Sequence, residues 1–517
     1  MAKRVVLDAM IKRADFAQQS ESTSIDLFDK FQITHLDSKS PILKILRKPD
    51  FQRETNHWRP GQVVELVSSF AHGELIPSLI LWKSDSFVFV IDGAHRLSAL
   101  RAWVENDYGD GAISHAFYNG EIPEEQKAIA KTTRRMVERS VGRYSDFAAV
   151  WEDSSDSNLE KKSLASKIFT KAIPIQWIQG SQEVAETSFF KINSQGTPLD
   201  KTEELLLRNR GVSYAIAARS IVRAGTGHKY WSKFDEAIIN QIEEDSEELY
   251  RLLFEPEITN PIKTLDLPLG GTSSPVDALK MLIDTFAIVD GFEEPDKAIS
   301  HIENDEDGTL THKTLSSTKK VIRKITGTTP SSLGLHPAVY FYNEKGRHSR
   351  FLFLGTVKMV ADAVRNNNST FFRKFTEVRK NIETILVKRK SVINQALANV
   401  NSRQRIHRVS DLLTGMTALC GENKKISDAI ILELLGLKGK IAELKLIDGP
   451  VGFSDETKSA IALRESLKSA PKCELCGGYL DLAKAISCDH ITPKREGGRG
   501  DIDNCQVTHP YCNSIKG

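Results

Sequence analysis

Four residues near one end of the chain, Cys473, Cys476, His509 and Cys512, make two pairs, Cys473-x-x-Cys476 and His509-x-x-Cys512. Each pair is spaced so that a tight turn brings both donors onto one ion. Sulfur and imidazole donors in this number suit tetrahedral Zn²⁺, and a site filled by protein ligands alone is structural. Between the pairs stand Asp489-His490-Ile491, Pro493, Gly497-Gly498 and Asn504, and Asn513 directly follows the last cysteine. Cleaving a phosphodiester at neutral pH needs an activated water in line with the leaving oxygen and a hard cation to offset charge on the phosphate. His490 is the expected general base, because imidazole titrates near neutrality and can take the water's proton. Asp489 and Asn513 offer hard oxygen donors to Mg²⁺ or Mn²⁺. Lys494, Arg495 and Arg499 are placed to reach phosphates from the loop around the glycine pair, which is expected to form a β-turn in a hairpin. Cys488 and Cys505 have no partner in this scheme and read as packing residues.

A second set lies toward the other end. Asp92-Gly93-Ala94-His95-Arg96 follows an apolar run directly, with Phe51-Gln52-Arg53 and Trp58 upstream. Arg53 and Arg96 are bidentate donors suited to phosphate, His95 is a titratable donor, and Gly93 permits close backbone approach. Asp92 can hold Mg²⁺ or a water beside phosphates. The alternative is a purely structural joint in which Arg96 pairs with Asp92 to fasten a turn to the next helix. The sequence has no Gly-x-x-x-x-Gly-Lys-Ser/Thr run, so a P-loop NTPase is excluded.

The elements that must position these residues follow from apolar spacing. Val63, Leu66, Val67 and Phe70 make a helical stripe over Gln62–His72, stopped at Gly73. Ile76–Trp82 and Phe87–Ile91 read as a β-hairpin that delivers Asp92-Gly93 to a helix through Leu97, Leu100 and Trp103. Ala172–Ile178 reads as a further strand, and Asp200 with Glu203 has capping-box spacing. Residues 211–470 read as mostly helical, with breaks at 260–275 and 328–337. Residues 371–410 are basic, and a phosphate-backbone grip competes there with the plainer reading of a solvated helix face.

At 517 residues the chain exceeds one compact core. Its 70 Lys and Arg nearly balance 68 Asp and Glu, so any nucleic-acid attraction must be local. Five of six cysteines fall in the last 45 residues, which fits one metal site better than a disulfide framework. With no long apolar segment, a cytoplasmic protein with no membrane partner is expected. The expected class is α+β multidomain: a polar arm over 1–45, a mixed α/β domain over 46–210, a helical middle over 211–470 and a small zinc-bound domain over 471–517.

The ordered set around Asp489-His490 resembles the HNH, or ββα-metal, nucleases. That resemblance implies that Asn504 ties down the loop orienting the base, and that His509 stands where many zinc-bearing members carry Cys. Phe51-Gln52-Arg53, Trp58, Asp92-Gly93-Ala94-His95-Arg96-Leu97 and Asn193-x-x-Gly196-Thr-Pro-Leu199 resemble GmrS-type domains of the ParB/sulfiredoxin-like class. Here Ala94 replaces a Gln of the family motif. Together the two resemble the GmrSD and SspE group of restriction proteins. The resemblance implies a DNA endonuclease of bacterial anti-phage defence, linked to modified or phage DNA. It also implies a nucleoside triphosphate bound, with hydrolysis left open, at Arg53, Asp92, Gly93, His95 and Arg96. The catalytic group would be His490, Asp489, Asn504 and Asn513. A homo-oligomer and partner proteins of a defence operon are compatible with it. An RNA-cleaving HNH toxin, and a ParB-like DNA-binding protein whose zinc end is structural, remain the alternatives.

Overall fold

The computed structural model describes residues 4–14, 27–49, 52, 55, 58–153, 158–195, 201–226, 229–272, 275–437 and 453–516. They fall into two compact units, residues 1–210 with 226–230, and 211–225 with 231–517.

The first unit is built on a six-stranded mixed sheet: β1 (Arg13–Ala14), β2 (Lys30–Gln32), β3 (Leu46–Pro49), β4 (Leu79–Lys83), β5 (Val88–Asp92) and β6 (Ala172–Ile178). The order is β1-β3-β5-β4-β6-β2. The expected hairpin is present as antiparallel β4 and β5, with Leu81 opposite Val90. Strands β1, β3 and β5 run parallel, as do β4 and β6, while β2 closes the far edge antiparallel to β6. Helix Pro60–Ala71 buries Val63, Val67 and Phe70. Helix Ala94–Val104 is buried nearly all round, consistent with its Ala, Leu and Trp content and its place directly after β5.

The described part of the expected N-terminal arm is not an arm. Val5, Leu7, Met10 and Ile11 are buried in the core of this unit, and β1 and β2 are strands of its sheet. Asp8 accepts a 2.8 Å ion pair from Lys48 and a 2.7 Å one from Arg13, all with fully buried side chains. The polar composition concealed this because its charges are consumed in pairs inside the fold.

The second unit is helical, with a small β-hairpin near its end. Its long helices include Glu236–Phe254, Thr309–Ile325, Arg350–Arg365, Ser369–Lys388 and Arg405–Gly421. Local caps start several of them: Asn368 Oδ1 accepts from Phe371 N at 3.0 Å, and Ser349 caps Leu352. Gly355 lets Arg350–Arg365 cross Arg405–Gly421 closely, since a Cβ there would lie 2.4 Å from Val409 Cβ. Among the described residues no helix is long and apolar enough to cross a membrane.

Candidate active site and metal cluster

The C-terminal hairpin consists of β7 (Ser487–His490) and β8 (Cys505–Thr508), followed by the short helix Pro510–Lys516. In register, Asp489 faces Gln506 and His490 faces Cys505. A knuckle precedes it, in which Gly477 N donates to Cys473 O at 2.8 Å and Cys473 N to Gly478 O at 2.8 Å. The ligand atoms of Cys473, Cys476, His509 and Cys512 lie within 4.8 Å of one another. His509 is fully buried, and its Nε2 donates to Tyr479 O at 2.9 Å, which leaves Nδ1 to face the sulfurs, 3.4 Å from Cys476 Sγ. A ligand imidazole with its second nitrogen fixed on a carbonyl is how metal-binding histidines are oriented, so this donor set fits a metal such as zinc.

Beside this cluster, Asp489 Oδ2 accepts from Gln506 Nε2 at 2.6 Å and from Lys516 Nζ at 2.7 Å. Partial burial would push the carboxyl's pKa up, but these two hydrogen bonds outweigh it and hold the group below the ordinary carboxylate value. Lys516 Nζ also donates to His490 O at 2.8 Å. Asn513 Nδ2 donates to Ser487 Oγ at 2.7 Å and to Cys488 O at 3.2 Å, so the amide nitrogen is spent and Oδ1 keeps its lone pairs. Asn504 braces the connection between the strands: its Oδ1 accepts from Thr492 N at 2.7 Å, and its Nδ2 donates to Thr492 O at 3.1 Å and Arg499 O at 2.7 Å. The glycine pair lies in this connection at the end of a 3₁₀ turn, with Gly497 N donating to Lys494 O at 3.1 Å, and Gly498 is required because a Cβ would sit 1.8 Å from Thr492 O.

Sequence reasoning did not identify Gln506 or Lys516. Gln506 is the cross-strand neighbour of Asp489, a pairing that only the strand register reveals, and Lys516 follows Asn513 by three positions on one helix face. The basic stretch 371–410 is mostly at the surface, with Arg373, Lys374, Lys380, Lys388, Arg389 and Arg403 exposed, and several of its other members have partners within the protein. Arg379 is buried and pairs with Glu383 at 2.6 Å, Arg389 pairs with Asp428 and Arg408 with Asp411, Arg405 caps the Ala398 and Val400 carbonyls, and Lys390 donates to Tyr342 O at 2.8 Å. Cys488 and Cys505, expected to pack, are exposed.

The Arg379–Glu383 pair seats the cluster. Glu383 Oε2 accepts from Tyr479 N at 2.6 Å, Arg379 Nη2 donates to Gly334 O at 2.9 Å, and Gly334 lies against the His509 ring. A path of hydrogen bonds thus runs from helix Ser369–Lys388 through both backbone groups of Tyr479 to the histidine of the cluster.

In the first unit, Asp92 ends β5 and Gly93, at φ +103°, turns the chain into helix Ala94–Val104. Arg96 Nη2 donates to Asp92 Oδ2 at 2.7 Å and to Ser78 O at 3.1 Å, which is the structural joint weighed above. The His95 ring lies 6.0 Å from that of Trp58. Gln52 Nε2 reaches Ile91 O at 3.4 Å. Arg96 Nε and Gln52 Oε1 are buried with no hydrogen-bond partner among the described residues. Arg53 and residues 196–200 lie outside the described residues.

Residues 473–517 match the family model described as HNH endonuclease, so the chain carries a nuclease domain of the HNH type, that of a phosphodiester hydrolase. Residues 27–210 match the model of the GmrSD restriction endonuclease N-terminal domain, and the two matches together give the chain a GmrSD-like architecture, that of a restriction-type nuclease. No curated protein and no solved structure matches the chain.

Proposed function

We propose that the protein is a divalent-metal-dependent DNA endonuclease that protects a bacterium against phage, with its N-terminal domain a ParB/sulfiredoxin-like nucleotide-binding regulator. The observation that carries the nuclease half is a four-ligand cluster that suits structural Zn²⁺, beside a strand and a short helix that present Asp489 and Asn513, with His490 following Asp489 at the end of that strand. His490 takes the proton of the attacking water as the P–O bond to the leaving oxygen breaks. Gln506 and Lys516 keep the Asp489 carboxylate ionised and aimed, and Asn504 keeps the connection after His490 from relaxing. Asp489 and Asn513 Oδ1 would hold a Mg²⁺ or Mn²⁺ ion, which when bound offsets charge on the phosphate.

Nucleotide control rests on the first unit. The unmet donor capacity of Arg96 Nε, beside Asp92 and the glycine turn, supports phosphate binding there. Arg53, Gly93 and His95 complete the proposed contacts. The Asp92–Arg96 bridge must open or share its guanidinium for a phosphate to enter, so binding has better support than hydrolysis.

The test is cleavage of phage-type and unmodified plasmid DNA with Mg²⁺ or Mn²⁺, with and without nucleoside triphosphates. His490→Ala is expected to lower the rate by about 10²–10⁴-fold while zinc content is unchanged. Equal cleavage by the variant would overturn the assignment of His490. Cleavage of RNA but of neither DNA would replace the substrate class, and a rate indifferent to every nucleotide would remove the regulatory role.

A further inference from the structure

Cys488 and Cys505 are outside the metal cluster and outside the proposed catalytic group, yet both are exposed on the two strands that carry it. Side chains alternate along a strand, so Cys488 shares a face with His490, while Ser487 and Asp489 turn to the other face, where Asn513 and Lys516 reach them. Cys505 is directly opposite His490 in the antiparallel register, hence on that same face. Cys488 and Cys505 are therefore diagonal neighbours flanking the imidazole on one face of the hairpin. Two exposed cysteines set diagonally across a strand pair are accessible to a small-molecule disulfide and near enough for one to resolve a mixed disulfide on the other.

We propose that Cys488 and Cys505 form a reversible disulfide that switches the nuclease off when a small-molecule disulfide such as oxidised glutathione accumulates. One cysteine, as thiolate, attacks a sulfur of the oxidant and expels one glutathione thiolate. The other cysteine then attacks the protein sulfur of the mixed disulfide and expels the glutathione bound there. The two protein sulfurs lose two electrons, the oxidant gains them, and the two thiol protons end on the two reduced glutathiones. The covalent bond needs Cβ atoms about 3.8 Å apart, whereas diagonal neighbours in an antiparallel pair start further apart, at up to about 7 Å. Closing it draws β7 and β8 together across His490 and displaces the base from its working position.

The loss of cleavage rests on the reading of His490 above; formation of the bond does not. The full zinc-loaded chain would be incubated with oxidised glutathione, then divided between peptide mapping by mass spectrometry, zinc assay and DNA cleavage. The expected result is a peptide linked through Cys488 and Cys505, full zinc retention, and cleavage reduced by about a hundredfold and restored by dithiothreitol. The Cys488→Ser/Cys505→Ser variant is expected to cut at the reduced wild-type rate with or without the oxidant. Absence of the linked peptide would overturn the site, and equal inhibition of the double-serine variant, or a linked protein that still cuts, would overturn the switch. If the reduced protein cuts no DNA at all, the nuclease reading fails while the mapped peptide still decides the thiol pair.

Discussion

Asn504 shows how much of a catalytic loop one amide can hold. Its three side-chain hydrogen bonds join Thr492 to Arg499 across a turn that also needs Gly498. Asn504→Ala removes all three and leaves the four metal ligands untouched. Cleavage is expected to fall by about ten- to a hundredfold, the usual effect of removing an outer-shell support, with zinc content unchanged; a variant that also lost zinc would show that the loop supports the cluster instead. At this scale the sequence was most informative where spacing is chemistry. Cys473, Cys476, His509 and Cys512 could be read as one ligand set because a metal dictates the spacing of its donors. Lys516 and Gln506 could not, because their purpose is set by Asp489, whose position in space depends on the strand register.

Among the elements, the helix Ser369–Lys388 and the turn at Gly93 do the most to position chemistry. Arg379→Met would leave Glu383 buried with its charge uncompensated, and breaking a buried pair in this way costs about 3–5 kcal/mol. Thermal unfolding of the second unit and the rate of zinc loss to a chelator are both expected to respond, whereas substitution of exposed Lys374 on the same helix should move neither. In the first unit, Gly93→Ala puts a Cβ 2.5 Å from Leu79 Cδ2 at a positive φ. The expected loss is about 1–3 kcal/mol, read by calorimetry, and a variant as stable as the parent would mean that the turn relaxes. Apolar periodicity revealed the β4–β5 hairpin and the helix after Pro60 because one face of each is buried. It did not reveal that residues 5–14 enter the sheet domain, since Arg13 and Asp8 look like surface charges until their partners are known. In the basic run 371–410 Arg379 departs from the exposed face around it for the same reason: Arg379 and Glu383 are one turn apart, and only folding decides whether such a pair is solvated or buried.

For the molecule as a whole, the second unit carries a built-in acid sensitivity. His348 is half-buried against Tyr342 and Phe353, with Nε2 on Leu269 O at 2.8 Å, and desolvation of its ring lowers its pKa to about 4. In the unfolded chain it titrates near about 6.5. Between those values the proton binds the unfolded state first, so stability is full above about pH 6.5 and is lost as pH falls toward about 4. The loss from this group is about 3 kcal/mol. His348→Gln, which does not titrate, is expected to flatten the fall in melting temperature between pH 7 and 4.5; an unchanged slope would assign the sensitivity elsewhere. Domain content was legible from two motif sets that together cover little of the chain. The helical remainder carried no chemical signature, and its relation to the cutter emerged only from the hydrogen bonds that join them.

Those hydrogen bonds bear on how this nuclease could be moved or borrowed. The 45-residue stretch that matches the HNH family is continuous in sequence but not self-contained in space. Tyr479 N is satisfied by Glu383, Tyr511 N donates to Ser332 O at 2.9 Å, and the His509 ring is walled by Gly334. An excised fragment would meet solvent on the side where Cys473, His509 and Cys512 are now buried. A portable version of the cutter therefore needs residues 332–340 and the helix Ser369–Lys388 as part of the same graft.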